Sequence, residues 1–433
     1  MKIKTIIFNV AQIILVSSFL CGCDFYFDSS DSSIEKTNHY GVFTKDDFLA
    51  VSGTVVKNNK GNGEIVTLRG TNAGGYGVLE GWMTGFKTRT SKGSVSHKVV
   101  SEIFYERFGD RAVNLWQNYR NNYWDDDDFY NCAEMGMNVI RLPFTYMNVD
   151  PLYHNVPKIE NQKYNFTVLD EFIEGAAFYG IYTILDMHGA YGSQNGQDHS
   201  GEIKDDASQV DFYTNNELIN KTVDLWTAIA DRYKDNPAVA GYDILNEPGE
   251  KGGATTTYHF EVYDRIYKGI RSKDQNHIVI MESCWGAKNL PHPEAYNWEN
   301  VVYSFHHYTG TSNTSDHMNS MINRITEIEN ENFKVPLYMG EFTCYNSSSS
   351  WNQTLSYLNS RGWHWTSWTY KVNIESAWGI YNTHADKVDP DNDSFEEIKA
   401  KWDAVSTNSL GTTTMTFDNN STLFAIIQKC CRG

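Results

Sequence analysis

Apolar and polar positions alternate along this chain with two different periods. Short runs rich in aliphatic and aromatic residues fall at 65–68, 138–143, 182–187, 238–245, 278–281, 301–305, 336–340 and 363–369. Each has the length of a strand buried on both faces. Between them apolar residues recur at spacings of three and four: Leu169, Ile173 and Ala177; then Ile219, Val223, Trp226, Ala230 and Tyr233; then Val262, Ile266 and Ile270. That is the stripe of a helix packed on a sheet. Asn236-Pro237 closes the second of these helices before the next strand. Ser394-Phe-Glu-Glu397 has the capping-box form and predicts a last helix through Trp402. Eight strands separated by helices predict an α/β fold, a (β/α)8 TIM barrel over residues 46–409. Upstream, 49–56 and 64–69 flank the Asn- and Gly-rich stretch 57–63, which predicts a short N-terminal β-hairpin running into the first barrel strand. After 409 the pattern fails, and the tail 410–433 is left unassigned.

The N-terminus changes the picture of where the protein works. Lys2 and Lys4 precede a mostly apolar run to Leu20, too short and too polar at Asn9 and Gln12 for a membrane span. The run reads as a secretory signal, and Leu20-Cys-Gly-Cys23 resembles the end of a bacterial lipoprotein signal. That resemblance implies a lipidated Cys23 as the mature N-terminus. Residues 24–45, rich in Ser and Asp, then read as a flexible tether. The expectation is export across a bacterial inner membrane and lipid anchoring at the envelope or cell surface, with no other membrane contact.

A net charge of −18 disfavours nucleic acid and anionic lipid as partners and leaves neutral polymers open. Aromatic residues make up 14% of the chain, with 12 Trp and 27 Tyr, more than a core requires; flat aromatic faces suit sugar rings. Besides Cys21 and Cys23, the cysteines at 132, 284, 344, 430 and 431 are spaced for neither a zinc site nor a dense disulfide framework. Two acidic clusters, 125–128 and 389–393, read as a helix-capping run and a solvated loop; the second lacks the central Gly and final Glu of an EF-hand. No metal or cofactor is expected, and the chain is expected to act as a monomer.

Candidate chemistry gathers at strand ends. Gly241-Tyr-Asp-Ile-Leu-Asn-Glu-Pro248 runs an apolar strand into Asn246 and Glu247, where the proline ends the ladder. The stretch 335–341 ends the same way in Glu341. In a barrel such ends face the active site, and two glutamates there suggest acid/base chemistry at a sugar bond. Arg141, His188 and the run His306-His307-Tyr308 end the second, third and sixth strands. Each has an ordinary reading, as a salt-bridge partner, a satisfied histidine or an edge aromatic; their common end of one barrel favours a site.

Three stretches carry a resemblance: Leu68-Arg-Gly-Thr-Asn-Ala-Gly-Gly-Tyr-Gly-Val-Leu-Glu-Gly-Trp82, Gly136-Met-Asn-Val-Ile-Arg-Leu-Pro143 and His188-Gly-Ala-Tyr-Gly-Ser-Gln-Asn-Gly-Gln-Asp-His-Ser-Gly201. Over roughly 65–403 the chain resembles glycoside hydrolase family five, and within it the exo-β-1,3-glucanase branch with its β-1,6-glucanase relatives. The resemblance implies a retaining hydrolase of β-glucan, linked 1,3 or 1,6, with Glu247 as acid/base and Glu341 as nucleophile. It implies that Asn246 bonds the sugar 2-hydroxyl, that Arg141 and Tyr308 hold the nucleophile, and that His188 and His306 serve the subsite of the cleaved sugar. Trp368 would form that sugar's aromatic floor, and Glu80 would bind the terminal glucose. The two carboxyls should then stand about 5 Å apart, with Glu341 raising the pKa of Glu247 so that it rests protonated. Gln197 and Thr311 replace a phenylalanine pair that grips the acceptor sugar in that branch, which puts a 1,3 preference in doubt, and Gly81 replaces a proline after Glu80, which implies a more mobile first-strand loop. The long stretch 189–201 favours a closed pocket. Two rivals are an open-cleft endo-β-1,4-glucanase or mannanase on the same fold, and a non-catalytic polysaccharide-binding lipoprotein; the paired glutamates argue against the latter.

Overall fold

Most barrel strands begin in aliphatic residues, and several end in polar ones, such as Asp243, Glu282, His306 and Glu341. The computed structural model describes residues 41–205, 209–249, 256–283, 286, 288–373, 377–383, 385–405 and 423–432. The chain divides into two units, Met1–His39 and Tyr40–Gly433; the expected signal and nearly all of the expected tether lie outside the described residues. The strands are β1 (Arg69–Asn72), β2 (Val139–Thr145), β3 (Tyr182–Gly189), β4 (Val239–Asp243), β5 (Ile278–Glu282), β6 (Val301–His306), β7 (Leu337–Glu341) and β8 (His364–Ser367). They pair in parallel in chain order, and β8 closes on β1 with Trp365 opposite Arg69. The chain is a (β/α)8 TIM barrel. Every residue of β2 and β3 is buried, as expected for strands covered on both faces.

Helices α1 (His97–Phe108), α2 (Ala112–Tyr123) and α3 (Asp126–Glu134) join β1 to β2, and α4 (Thr167–Phe178) joins β2 to β3. Then come α5 (Asn216–Tyr233), α6 (Thr256–Arg271), α7 (Thr314–Asn330), α8 (Ser348–Ser360), α9 (Phe395–Asp403) and α10 (Leu423–Arg432). Between β5 and β6 the described residues hold only the 3-10 turn Pro293–Ala295. The periodic stripe on α5 is its buried face, and Trp226 on it donates its indole N–H to the Ile244 carbonyl at 3.0 Å. The helix is thereby pinned to the chain two residues before Asn246. Ser394 caps α9 with Glu397 returning the bond, as the sequence pattern predicts.

Three elements differ from the sequence reading. β1 begins at Arg69, not 65: Ile65 is 61% exposed and makes only an isolated bridge to Lys57. The true strand, Arg-Gly-Thr-Asn, has no aliphatic side chain to mark it. A Cβ on Gly70 would come within 1.7 Å of the Val139 carbonyl oxygen, so close strand approach, not hydrophobicity, sets that sequence. The N-terminal hairpin pairs Ala50–Ser52 with Val55–Lys57 around Gly53, whose φ is 65°, and the chain also turns at 57–63 as expected, where Lys57 bridges Ile65 antiparallel and the Asn58 N–H donates to the Glu64 carbonyl. It lies at the foot of the barrel, where the Val51 N–H donates to the Asn300 side chain and the Tyr182 hydroxyl to the Asp47 carbonyl.

In the tail left unassigned, 423–432 is the helix α10. It buries Leu423, Ile426, Ile427 and Cys430 beside α8. Its last carbonyls, on Cys430 and Cys431, accept from Arg69, and Cys430 also from Asn359, which satisfies the orphan groups of a helix end. At 125–128 the acidic run is a capping box for α3, and its last member, Asp128, is buried against Lys371 at 2.6 Å. At 389–393, Asp389 accepts backbone N–H groups of its own loop and pairs with Lys87.

Candidate active site

The polar strand ends meet around one buried guanidinium. Arg141, in the middle of β2, is fully buried. Its Nε donates to Asp243 on β4 at 2.8 Å, and Nη1 to Asn72 on β1 at 3.0 Å and to Glu341 on β7 at 2.8 Å. Its Nη2 donates to Asn246 at 2.8 Å and lies 3.1 Å from Asp186 on β3 and 3.7 Å from Glu282 on β5. Burial works against the arginine's charge, but Asp186, Asp243 and Glu341 outweigh it and hold its pKa well above the ordinary value. Four carboxylates around one cation are too many to stay ionised together. Burial lifts Asp186 to about 7 against the pull of Arg141, raises Asp243, and raises Glu282 well above the usual carboxylate range.

Glu341 is gripped at both oxygens, by Arg141 at Oε1 and by the Tyr308 hydroxyl at Oε2, 2.7 Å away. Burial keeps the Tyr308 phenol protonated and therefore a donor. Strand register supplies the neighbour: a shift between Phe305 and His306 sets His306 opposite Glu341. His306 Nδ1 then lies 2.9 Å from Glu247 Oε1 and 3.4 Å from Glu341 Oε2, while its Nε2 lies 3.5 Å from Glu282. Burial disfavours a charged ring, but Glu282, Glu341 and Glu247 raise its pKa to about 10.

Glu247 departs from the sequence expectation. Burial alone pushes its carboxyl up, but the hydrogen bond and charge of His306, with His199 and His188 behind, bring it down to about 2. The expected raised pKa is thus reversed by a cation that the strand pattern placed nearby without showing what it touches. Glu247 also sits at φ 38°, in the left-handed region that non-glycine residues rarely enter. The 189–201 loop holds this turn: Asn195 Nδ2 donates to the Glu247 carbonyl at 3.0 Å, and Gln194 Nε2 to the carbonyls of His188 and Asn246.

His188 bonds Asp186 at 2.6 Å, burial drops its pKa to about 3, and its ring lies parallel to Trp368 with centroids 5.3 Å apart. The Trp368–Thr369 peptide is cis. Glu80 accepts from the Trp82 indole at 2.8 Å; burial, reinforced by Asp198, raises its pKa well above the ordinary value. A cavity of about 320 Å³ is lined by Glu80, Trp82, His188, Glu341, Trp368 and Trp378, among others. A second, of about 570 Å³, shares Glu247 and Tyr308 with it and continues past Glu282 and His306 to Arg324 and Glu327 on α7. The structure therefore brings Glu80, Arg141, His188, Asn246, Glu247, His306, Tyr308, Glu341 and Trp368 to one end of the barrel.

Several residues of the site escaped the sequence reading. Glu282 ends β5 one residue past the predicted strand; Asp186 and Asp243 sit inside apolar runs, where a lone acid is itself a signal of a buried partner. Asp198 and His199 lie within the 188–201 motif, and Trp82 closes the first one. Among the described residues, two groups of donors stand close enough together to be considered for a cation, Glu80 with Asp198 and His199, and Glu247 with Glu282 and His306. His306 already faces carboxylates with both nitrogens, and His199 faces Asn195 and Glu247, so we assign neither to a metal.

Residues 103–374 match the family model described as cellulase (glycosyl hydrolase family 5). A β-xylosidase of Phanerodontia chrysosporium is 32% identical over 273 residues, 60% of this chain and 52% of that protein. A probable glucan 1,3-β-glucosidase A of Aspergillus clavatus is 30% identical over 286 residues, 65% of each chain. The chain thus spans between half and two thirds of these relatives' length. A β-glucanase of Saccharophagus degradans, solved with cellotetraose, superposes with a TM-score of 0.51 over 90% of this chain and 96% of its own at 16% identity, a likeness of fold.

The buried cluster makes a direct prediction for stability. Arg141→Ala leaves the carboxylates uncompensated and should destabilise the fold by about 3–5 kcal/mol at neutral pH. Without the cation the folded pKa values of Asp186, Asp243 and Glu282 rise further above the unfolded value of about 4. Folding then takes up protons, so stability is greatest below the unfolded value and is lost as pH rises through the folded one. Denaturant unfolding should therefore show a smaller deficit at pH 5 than at pH 8; an equal deficit at both would contradict this charge balance.

Proposed function

From the premise that the chain belongs to glycosyl hydrolase family 5, we propose that it cleaves β-glucan, linked 1,3 or 1,6, with retention of configuration. One observation carries the reading: a single nitrogen, His306 Nδ1, lies 2.9 Å from Glu247 and 3.4 Å from Glu341. The two carboxyl oxygens it touches are then no more than about 6 Å apart, short of the separation an inverting pair needs to admit water between them. Glu341, aimed by Arg141 and Tyr308, attacks the anomeric carbon. Glu247 protonates the departing glycosidic oxygen, and in the second step it takes a proton from the water that breaks the glycosyl–Glu341 ester. Asn246, its carbonyl oxygen fixed by Arg141, binds the 2-hydroxyl. Trp368 lies beneath the ring, with Glu80 and His188 bonding its hydroxyls.

The smaller cavity, walled by three tryptophans and the 189–201 loop, supports removal of a terminal glucose rather than cutting within a chain. Likeness to the β-xylosidase of Phanerodontia chrysosporium supports a second reading, a terminal xylose in the same pocket. The export and lipid anchoring expected from residues 1–23 are part of the proposal.

The protein, incubated separately with β-1,3-glucan, β-1,6-glucan, cellulose, mannan and an aryl β-xyloside, should release glucose alone from the first time points on one of the first two. Mixed oligosaccharides from cellulose or mannan would replace the pocket with an open cleft. Turnover of the xyloside alone would move the substrate to xylose, and no release from any would favour a binding protein. Glu247→Gln should lower kcat by about 10²–10⁴-fold and Glu341→Gln at least as much, so near-normal turnover in either removes its assignment. For the anchor, Cys23→Ala should release the protein from the membrane fraction and abolish incorporation of labelled fatty acid; continued incorporation would show that another residue is lipidated.

A further inference from the structure

The carboxyl of Glu247 has an imidazole on each side. His306 faces Oε1, and His199 Nε2 lies 3.2 Å from Oε2. What His199 does to that oxygen depends on which of its nitrogens carries the hydrogen, and Asn195 decides it. Asn195 is 7% exposed, and its amide has no freedom to turn over. Its Oδ1 accepts from the Gln197 N–H at 2.9 Å, and its Nδ2 donates to the Glu247 carbonyl at 3.0 Å. A flip would set oxygen against that carbonyl and an amino group against that N–H. The second hydrogen on Nδ2 therefore points at His199 Nε2, 2.8 Å away. A nitrogen that receives a hydrogen bond presents a lone pair. The His199 hydrogen is then on Nδ1, which lies 4.0 Å from Asp198.

We propose that Asn195 fixes His199 in the tautomer with a bare Nε2, and that His199 in this form accepts the hydrogen on Glu247 Oε2 and keeps the acid protonated between turnovers. This rests on Glu247 as the acid/base of the proposed hydrolysis. His306 still draws Glu247 down through its contact with Oε1, and a hydrogen-bond acceptor at Oε2 works against that pull. The other titratable groups around the pair are His306 on Oε1, Glu282 behind His306, Glu341 and Glu80 across the cavity, Asp198 beside Nδ1, and the His188 ring at 6.0 Å. The first step takes the proton from Glu247 and the second returns one from water, so a full turnover leaves the carboxyl as it began. His199 therefore need not relay protons to solvent. Its part is to set the pH at which the acid is loaded, which makes it a positioning residue.

The direction of one shift tests this. A neutral acceptor stabilises the protonated carboxyl, so His199→Phe should move the basic limb of kcat/KM to lower pH by about one unit, the worth of one hydrogen bond. If His199 were an imidazolium paired with the carboxylate, the limb would move up instead; an upward shift or none overturns the proposal. A readout that needs no turnover guards against a variant that folds poorly, or a substrate reading that fails. Imidazole ¹⁵N shifts of the intact protein at neutral pH should show His199 Nε2 unprotonated, and Asn195→Asp, which offers Nε2 a charged acceptor, should draw the hydrogen onto it. A protonated Nε2 in the unaltered protein, or no change with Asn195→Asp, also overturns the assignment.

Discussion

A guanidinium with no exposed surface, bonded to side chains from β1, β4 and β7 and to the chain just beyond β4, is the constraint on which the rest of the site depends. Removing such a charge from water costs several kcal/mol, recovered only where geometry and hydrogen bonding are nearly complete. Arg141 meets that condition by using Nε and both Nη nitrogens, with Asp186 and Glu282 as further charges close by. The parallel register sets Asn72 opposite Arg141 and Asp186 opposite Asp243, so barrel closure and assembly of the charge cluster are one event. The same contacts fix Asn246 and Glu341 in orientation before any substrate arrives, which is the preorganisation that electrostatic catalysis requires.

Excess negative charge at that centre explains how the carboxyls divide their labour. Glu341 keeps two donors, one on each oxygen. Glu282 and Glu80 have burial without enough cationic support, and their pKa values climb. Glu247 lies between a charged His306 and a loop that ties down its backbone. Chemically similar side chains are thus set apart by their surroundings: Glu341 held by two donors, Glu282 and Glu80 pushed toward the protonated form by burial, and Glu247 drawn down by His306. A conventional Coulomb argument from the Glu341–Glu247 pair alone misses this, because His306 touches both carboxylates at once.

Much of this was legible in the chain, for physical reasons that can be named. Strands buried on both faces need continuous apolar runs, so seven of eight were found near their places, and the capping of α9 is written in Ser394 and Glu397. β1 was misplaced because Gly70 answers to backbone closeness and Thr71 to bonds with Ser367, neither of them to hydrophobicity. The helix at 423–432 was missed because its ten residues follow a stretch without pattern, and its partners, Arg69, Asn359 and Glu134, are distant in sequence. Strand ends announced the site residues that project from them. Asn195 and His199 act through a loop whose folded path no periodicity encodes, and the reversed pKa of Glu247 required knowing that a register shift turns His306 toward it.

The central claim is that Glu341 is the group that bonds to the sugar. Incubation with a 2-deoxy-2-fluoro-β-glucoside bearing a good leaving group slows both steps and lets the glycosyl–protein ester accumulate. Intact-mass measurement followed by peptide mapping should then find one fluorosugar per chain, attached at Glu341. Attachment at Glu247 or Glu282, or hydrolysis of the probe with no adduct at any time point, would contradict the account.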